Sequence, residues 1–440
     1  MRPLLLLVLC VSAVNAQDTV LAHPLTLGDA ARLAARRNSQ AEQARDRADA
    51  AAARVTQRRS ELLPQLSASA VESGATFNTA ALFPPPFAFP GIDPAGEVVG
   101  PLNTLDMRAR AALSVFDLSA YKRVSSATAA ADASSADAAN IGDLAGSLAA
   151  RAYVRLQRAE ALVAARLADS VLADSLLGIA RDQLTSGVGV AIDVTRAKVQ
   201  LSTVRAQLIF QRSDRDQARL DLLRVLNLPL DARVALADSL DRLPAPQPLP
   251  SESAAVAVAM RSRADLRAAA LQLQSSETAV SAIKAERLPS LGIAGSYGSI
   301  GRNGESYLPT YTWGVAIQLP IFDGFRREAR IEEEKASVRE ATSRERAIIL
   351  QAAIEVRGAL DDLAAAREQM DAARERLDLS LLEVSQARER FVAGVAGNLD
   401  VIQASSNLNT ARSQLVEALA SYQGARVQLA RAEGTVSQLP

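Results

Sequence analysis

The stretch Tyr311-Thr312-Trp313-Gly314-Val315-Ala316-Ile317-Gln318-Leu319-Pro320-Ile321-Phe322-Asp323-Gly324 lies where the periodicity of the chain changes. From Tyr311 to Leu319, bulky apolar residues alternate with Thr312, Gly314, Ala316 and Gln318, the two-residue repeat of a strand with one apolar face. Beyond Asp323 the repeat becomes seven: Ile349, Val356, Leu363, Met370, Leu377, Val384 and Phe391, with Ala352, Ala359, Ala366, Ala373, Ser380 and Ala387 three positions after the first six. That is a coiled-coil seam with one large and one small knob per heptad. No proline falls between 321 and 439, so a helix over 323–392 can extend about 105 Å at its fixed rise per residue. A compact domain has no use for a helix of that length.

The same succession occurs earlier in the chain. Leu63-Pro64-Gln65-Leu66 recurs as Leu288-Pro289-Ser290-Leu291, Val115-Phe116-Asp117 as Ile321-Phe322-Asp323, and Leu184 through Gly187 to Asp193 as Phe391 through Gly394 to Asp400. Leu201, Arg205, Leu222 and Arg224 match Leu408, Arg412, Leu429 and Arg431, so the chain reads as two copies of one unit. The first, 17–243, is expected to hold a helix over 26–62, strands over 64–72 and 105–116, a long helix over 117–186 and a helix over 190–227. The second, 244–440, is expected to hold a helix over 252–287, strands over 290–300 and 310–320, a long helix over 323–392 and a helix over 398–434. The first long helix keeps part of the seam as Leu156, Ala159, Val163, Ala173, Leu177, Ala180 and Leu184, with Arg166 and Ser170 intruding. Residues 228–251, with Pro244, Pro246, Pro248 and Pro250, join the copies and are expected to pack around the middle of a helical wall.

Composition limits the chemistry. Met1 and Arg2, an apolar run from Leu4 to Val14 and the small Ala16 before Gln17 read as a secretory signal peptide over 1–16. Cys10 lies inside it, which leaves the mature chain without cysteine, and its one histidine, His23, sits near the new N-terminus. Thiol and histidine chemistry are thereby set aside, and no catalytic residue, cofactor or metal is expected. The 49 acidic and 49 basic residues cancel, which argues against a nucleic-acid partner. After the signal no apolar run is long enough for a membrane-spanning helix, which leaves a soluble protein or a β-barrel.

The strands favour the barrel. Leu105, Met107, Ala109, Ala111, Leu113 and Val115 alternate with Asp106, Arg108, Arg110, Ala112 and Ser114; Leu291, Ile293, Gly295 and Tyr297 alternate more weakly, and Leu66, Ala68 and Ala70 are marginal. Of the 16 aromatic residues, 12 fall in 77–121 and 297–325, including Tyr297, Tyr311 and Trp313, as a membrane-interface girdle requires. Four strands cannot close a barrel, and open edges are not tolerated in lipid, so several chains must combine; two would give eight strands and three would give twelve. The connection over 73–104, with Phe83-Pro84-Pro85-Pro86-Phe87 and Phe89-Pro90, and the shorter one over 299–309, with Gly301, Asn303 and Gly304, read as external loops.

The repeated unit, the strand end Leu319-Pro320-Ile321-Phe322-Asp323-Gly324, and the turn Arg390-Phe391-Val392-Ala393-Gly394 followed by Asn398-Leu399-Asp400-Val401 resemble the TolC-like outer-membrane efflux (outer membrane factor) family over nearly the whole mature chain. The resemblance implies a mainly α fold with transmembrane β: a trimeric, 12-stranded β-barrel with four strands per chain, continued by a coiled-coil α-helical barrel. It also implies an outer-membrane duct subunit of a tripartite efflux or type I secretion system, extending into the periplasm. Its partners would be a homotrimer's other copies, a periplasmic adaptor (membrane fusion) protein, an inner-membrane pump and outer-membrane lipid.

The same resemblance places the two glycine turns at a periplasmic tip, with Gly187, Gly189, Gly394, Ala396 and Gly397 as adaptor contacts. A constriction is expected from Asp193, Asp400, Phe391, Leu184 and Gln403. Asp193 and Asp400 also suit the positive ends of the returning helices, and in a trimer each would form a carboxylate ring. The sequence departs from the family where Phe391 and Ala396 replace a tyrosine and an arginine that tie the gate, and where Gln403 replaces a second ring aspartate. Closure through packing around Phe391 and Leu184, with fewer polar ties, is the resulting expectation.

Two alternatives are set against this reading. A periplasmic coiled-coil adaptor would carry one hairpin flanked by glycine-rich β-domains, whereas the helix-strand-helix unit occurs twice here. A structural coiled-coil protein would lack the period-2 segments. An enzyme is not expected: Glu332, Glu333 and Glu334 read as a solvated helix face.

Overall fold

The structure, a computed structural model, describes residues 24–79, 96–243, 248–302, 306–395 and 397–440. The expected signal peptide, Cys10, His23, the proline-rich loop over 83–90, Pro244, Pro246, Asn303, Gly304 and Ala396 lie outside the described residues. In chain order the elements are α1 (Leu27–Arg37), α2 (Ser39–Ser60), β1 (Gln65–Asn78), β2 (Val98–Phe116), α3 (Leu118–Thr185), α4 (Ala191–Val225), α5 (Glu252–Ser262), α6 (Ala264–Ala285), β3 (Ser290–Arg302), β4 (Leu308–Gln318), α7 (Arg326–Val392) and α8 (Asn398–Glu433). None of the described helices is long and apolar enough to cross a membrane.

Two expected helices prove to be pairs. The one over 26–62 breaks at Asn38 and the one over 252–287 at Arg263, each residue taking an extended backbone while its amide still caps the preceding turn. Each break lies 26 residues before a repeated proline, Pro64 or Pro289. The cause is tertiary: Asn38 Nδ2 donates to the Val225 carbonyl at 3.0 Å, and Arg263 Nη1 to the Ala432 carbonyl at 3.2 Å. Both side chains satisfy carbonyls that the ends of α4 and α8 leave without helical partners. At the same ends Asn227 and Gly434 take left-handed φ values of 52° and 72°. The helix expected from 323 begins at Arg326, because Gly324 and Phe325 turn the chain through φ values of 69° and 63°.

The chain folds as two compact units. One draws on Ala136–Arg267, Ala347–Pro440 and the chain up to Asp46. Its core is the heptad seam: Ala352, Val356, Ala359, Leu363, Ala366 and Met370 of α7 are buried, with Tyr153, Leu156 and Ala159 of α3 and Leu222 and Leu223 of α4. Small residues at alternate seam positions let these helices approach closely. Ile349, expected in the seam, is exposed. The segment joining the copies packs against this core through Leu228, Ala232 and Leu240, and Leu25 forms a parallel bridge with Leu236. Tyr153 anchors that bridge by donating to the Leu25 carbonyl at 2.8 Å and to Asp238 Oδ2 at 3.1 Å.

The second unit comprises Arg47–Ser135 and Ala268–Arg346. It holds one antiparallel sheet in the order β1-β2-β3-β4. Val98 pairs with Asn78, Ala109 with Ala68 and Tyr297, and Tyr297 with Tyr311. The first two strands run past their expected limits, since ladder bonds accept residues with no alternation of their own. Below the sheet Ser126 and Ser275 exchange hydrogen bonds with each other's backbone carbonyls at 3.0 and 3.1 Å, possible only where small side chains let α3 and α6 touch.

Candidate functional site

Two places bear on function, one in each unit. In the helical unit the turn after α3 closes with Gly187 at φ 78° and that after α7 with Gly394 at φ 72°, so both glycines occupy a conformation that L side chains adopt poorly. The Gly189 amide donates back to the Gln183 carbonyl at 2.9 Å. Gly397 caps α8 with φ −76°, an angle open to any residue.

Two amides join the turns. Gln183 Nε2 donates to the Phe391 carbonyl at the end of α7, at 2.9 Å, and Asn398 Nδ2, at the start of α8, donates to the Asp193 carbonyl at 2.8 Å. Phe391 is 3% exposed and packs with Leu177, Ala180, Val194 and Val401. The Phe391 ring, expected at a constriction, packs in the core between the two hairpins of its own chain. Leu184, expected beside it, is 38% exposed and outside that cluster.

Asp193 lies in the first turn of α4, where its carboxylate meets Arg196 Nη1 at 3.6 Å. Asp400 lies in the first turn of α8, is exposed, and has no ion-pair partner among the described residues. Gln403, also exposed, donates to Asn407, which in turn donates to Glu383. Around the turns stand Val188, Val190, Ile192, Val392, Val395 and Leu399, all exposed, a feature the sequence reading missed because turn residues carry no period to betray them.

A second missed feature lies farther along the hairpins. Asp169 is wholly buried, with Arg166 Nη1 at 2.9 Å and Arg412 Nη1 at 2.5 Å, and the Asn409 amide, in the orientation that satisfies it, donates to the same carboxylate. Arg166 also donates to Ser413. Arg166, an apparent intruder in the first seam, thus forms with Asp169 and Arg412 a charged joint between α3 and α8.

In the other unit the register sorts the sheet into two faces. One carries Leu66, Ala68, Ala70, Met107, Ala109, Ala111, Leu113, Leu291, Ile293, Tyr297, Tyr311, Trp313, Val315 and Ile317. Among the described residues no other element covers its largest side chains: Trp313 is 75% exposed, Tyr311 72% and Tyr297 66%. The opposite face carries hydroxyls and charge. Arg108 reaches Asp106 at 3.2 Å, Ser296 at 3.2 Å and Thr310 at 3.1 Å, while Arg110 donates to Ser69 at 3.0 Å. Among the described residues β1 and β4 have one neighbour each, so both sheet edges are open.

A sheet with an uncovered apolar face, a polar face and two open edges, in a chain otherwise built of long paired helices, defines the fold class of outer-membrane channels. Residues 256–435 match the family model described as outer membrane efflux protein. The chain is 23% identical, over 60% of its length and 55% of the relative's, to the pyoverdine export outer membrane protein OpmQ of Pseudomonas aeruginosa, so it spans about half the length of that curated relative. Its fold is that of the outer-membrane channel OprN, with a TM-score of 0.74 at 20% identity covering 94% of this chain and 91% of that one. It is likewise that of the open Neisseria gonorrhoeae MtrE outer membrane channel, with a TM-score of 0.75 at 20% identity covering 93% and 88%. The C-terminal part of the chain thus matches an outer membrane efflux protein model, and the fold of the chain is that of TolC-like outer-membrane channels. The proteins it matches are channels, not enzymes.

Proposed function

We propose that the chain is one subunit of a passive export duct, in which three copies complete a twelve-stranded barrel and a helical tunnel that receives cargo from an inner-membrane pump through a periplasmic adaptor. The sheet carries this reading. An uncovered face of Tyr297, Tyr311, Trp313, Val315 and Ile317 demands lipid, and the open edges of β1 and β4 demand further strands. The matching helix breaks at Asn38 and Arg263 support the reading of the chain as two copies of one unit.

At the turns, Asp193 and Asp400 are assigned to the constriction as carboxylate rings, with Phe391, Leu184 and Gln403 near them. Gly187, Gly189, Gly394, Gly397 and Ala396 are assigned to the adaptor contact, joined by the exposed Val188 and Val395. Purified protein incorporated into planar bilayers is expected to give stable single-channel conductance. Absence of conductance, with the protein shown to be inserted, overturns the duct.

A further inference from the structure

We propose that the polar face of the sheet favours anionic solutes, with Arg110 as the residue that sets this preference; the inference rests on the duct reading above, in which that face lines the water-filled barrel. Around the middle of the strands the face presents three charged side chains, Asp106, Arg108 and Arg110, set among Ser67, Ser69, Ser296 and Thr312. Asp106 and Arg108 neutralise one another at 3.2 Å. Arg108 is moreover largely buried and committed, since its remaining nitrogens bond Ser296 on β3 and Thr310 on β4 and so tie three strands together.

Arg110 differs in every respect. It is exposed, its described contact is a neutral one to Ser69 Oγ at 3.0 Å, and no carboxylate among the described residues lies within ion-pairing distance. Glu72 stands opposite Leu105 in the register and so on the other face. Around mid-strand one uncompensated guanidinium per chain thus projects from a wall of hydroxyls, Arg302 of the same face standing at the far end of β3. A closed barrel would repeat it in every subunit, placing like charges around one aqueous cross-section. Because guanidinium stays protonated at any accessible pH and forks toward planar oxyanions, the solutes it favours are carboxylates, sulfonates and phosphates.

The test reads the local field through a thiol. The one cysteine of the sequence is Cys10, so Thr312→Cys on the polar face and Val315→Cys on the apolar face each add one reporter beyond it. Full-length protein in proteoliposomes is treated with methanethiosulfonates of like size, one bearing a sulfonate and one a trimethylammonium group. Thr312→Cys is expected to react with the anionic reagent over the cationic one about fivefold more selectively than a free thiol does, with the excess shrinking at high salt. Arg110→Gln is expected to abolish the excess, and Arg110→Lys, which retains the charge and the reach to Ser69, to restore it.

An accessible Thr312→Cys whose selectivity equals that of the free thiol, or is untouched by Arg110→Gln, overturns the inference while leaving the duct standing. A Val315→Cys that reacts in the bilayer as fast as Thr312→Cys overturns the duct itself, because the apolar face would then not be in lipid.

Discussion

Arg263 shows how much one side chain can determine. It is almost fully buried, pairs with Asp265 at 2.6 Å and Glu355 at 2.6 Å, and bonds the Ala432 carbonyl. Burial pushes both carboxyls upward, but hydrogen bonds from Arg263 outweigh it and hold each below its ordinary value. A depressed folded-state value means stabilisation that is complete above the ordinary values of 3.8 for Asp265 and 4.5 for Glu355, and that is lost as pH falls through the folded values. Asp143 opposes this, since burial raises its carboxyl and protonation in acid relieves a cost present at neutral pH. Melting curves from pH 7 down to 3 are therefore expected to show a smaller acid loss for Asp265→Asn than for the parent chain. At Asp169 the stakes are higher, because Asp169→Ala strands Arg166 and Arg412 without an anion. A loss of about 3–5 kcal/mol in denaturant titrations is expected, whereas removing all three charges together with apolar replacements is expected to cost far less. Neither cluster was legible in the sequence. Arg166 reads only as an interruption of a heptad, and Arg412, which shares the Asp169 carboxylate with it, stands on α8.

At the scale of elements, legibility followed local periodicity. The seam from Val356 to Met370 located α7, and the alternation from Tyr311 to Ile317 located β4, because each pattern is written in consecutive residues. The breaks at Asn38 and Arg263 were invisible: neither residue is a helix breaker, and the carbonyls they satisfy lie 187 and 169 positions away. The extension of β1 to Asn78 and of β2 back to Val98 was invisible for the same reason, depending on the pairing of the two strands with one another. The site divided likewise. The glycine turns and the aromatics could be read, but the burial of Phe391 could not, since a heptad position does not say which helix will cover it. The glycines themselves differ in a testable way. Gly394 has open space around it and only its φ of 72° to lose, so Gly394→Ala is expected to cost about 1 kcal/mol. Gly298 has ordinary φ, but a Cβ there would meet the Met107 carbonyl oxygen at 2.2 Å, so Gly298→Ala must displace β2 from β3 and is expected to cost more. Melting of the two variants against Gly314→Ala, where a Cβ meets nothing within 4 Å, orders the three.

For the molecule as a whole, everything follows from which face of the sheet meets lipid, and adjacent residues of β4 can decide it. Val315 belongs to the face of Trp313 and Ile317, whereas Ala316 pairs with Gly292 on the face of Arg110. An arginine at 315 would have to enter hydrocarbon, at a cost of about 2–4 kcal/mol near the midplane for each copy, whereas one at 316 would project into water. Because the proposed barrel would close only when several chains join, that penalty is multiplied in the assembly and opposes insertion and association together. Val315→Arg is therefore expected to deplete the protein from outer-membrane fractions and to prevent the proposed trimer from being captured by cross-linking. Ala316→Arg is expected to leave both intact and, by adding a second guanidinium to the face of Arg110, to strengthen the preference for anions. The reverse pattern would exchange the two faces, placing Arg108 and Arg110 against lipid. The hydroxyl network of Ser296, Thr310 and Thr312 would then have no water to face, and the duct would lose its wall.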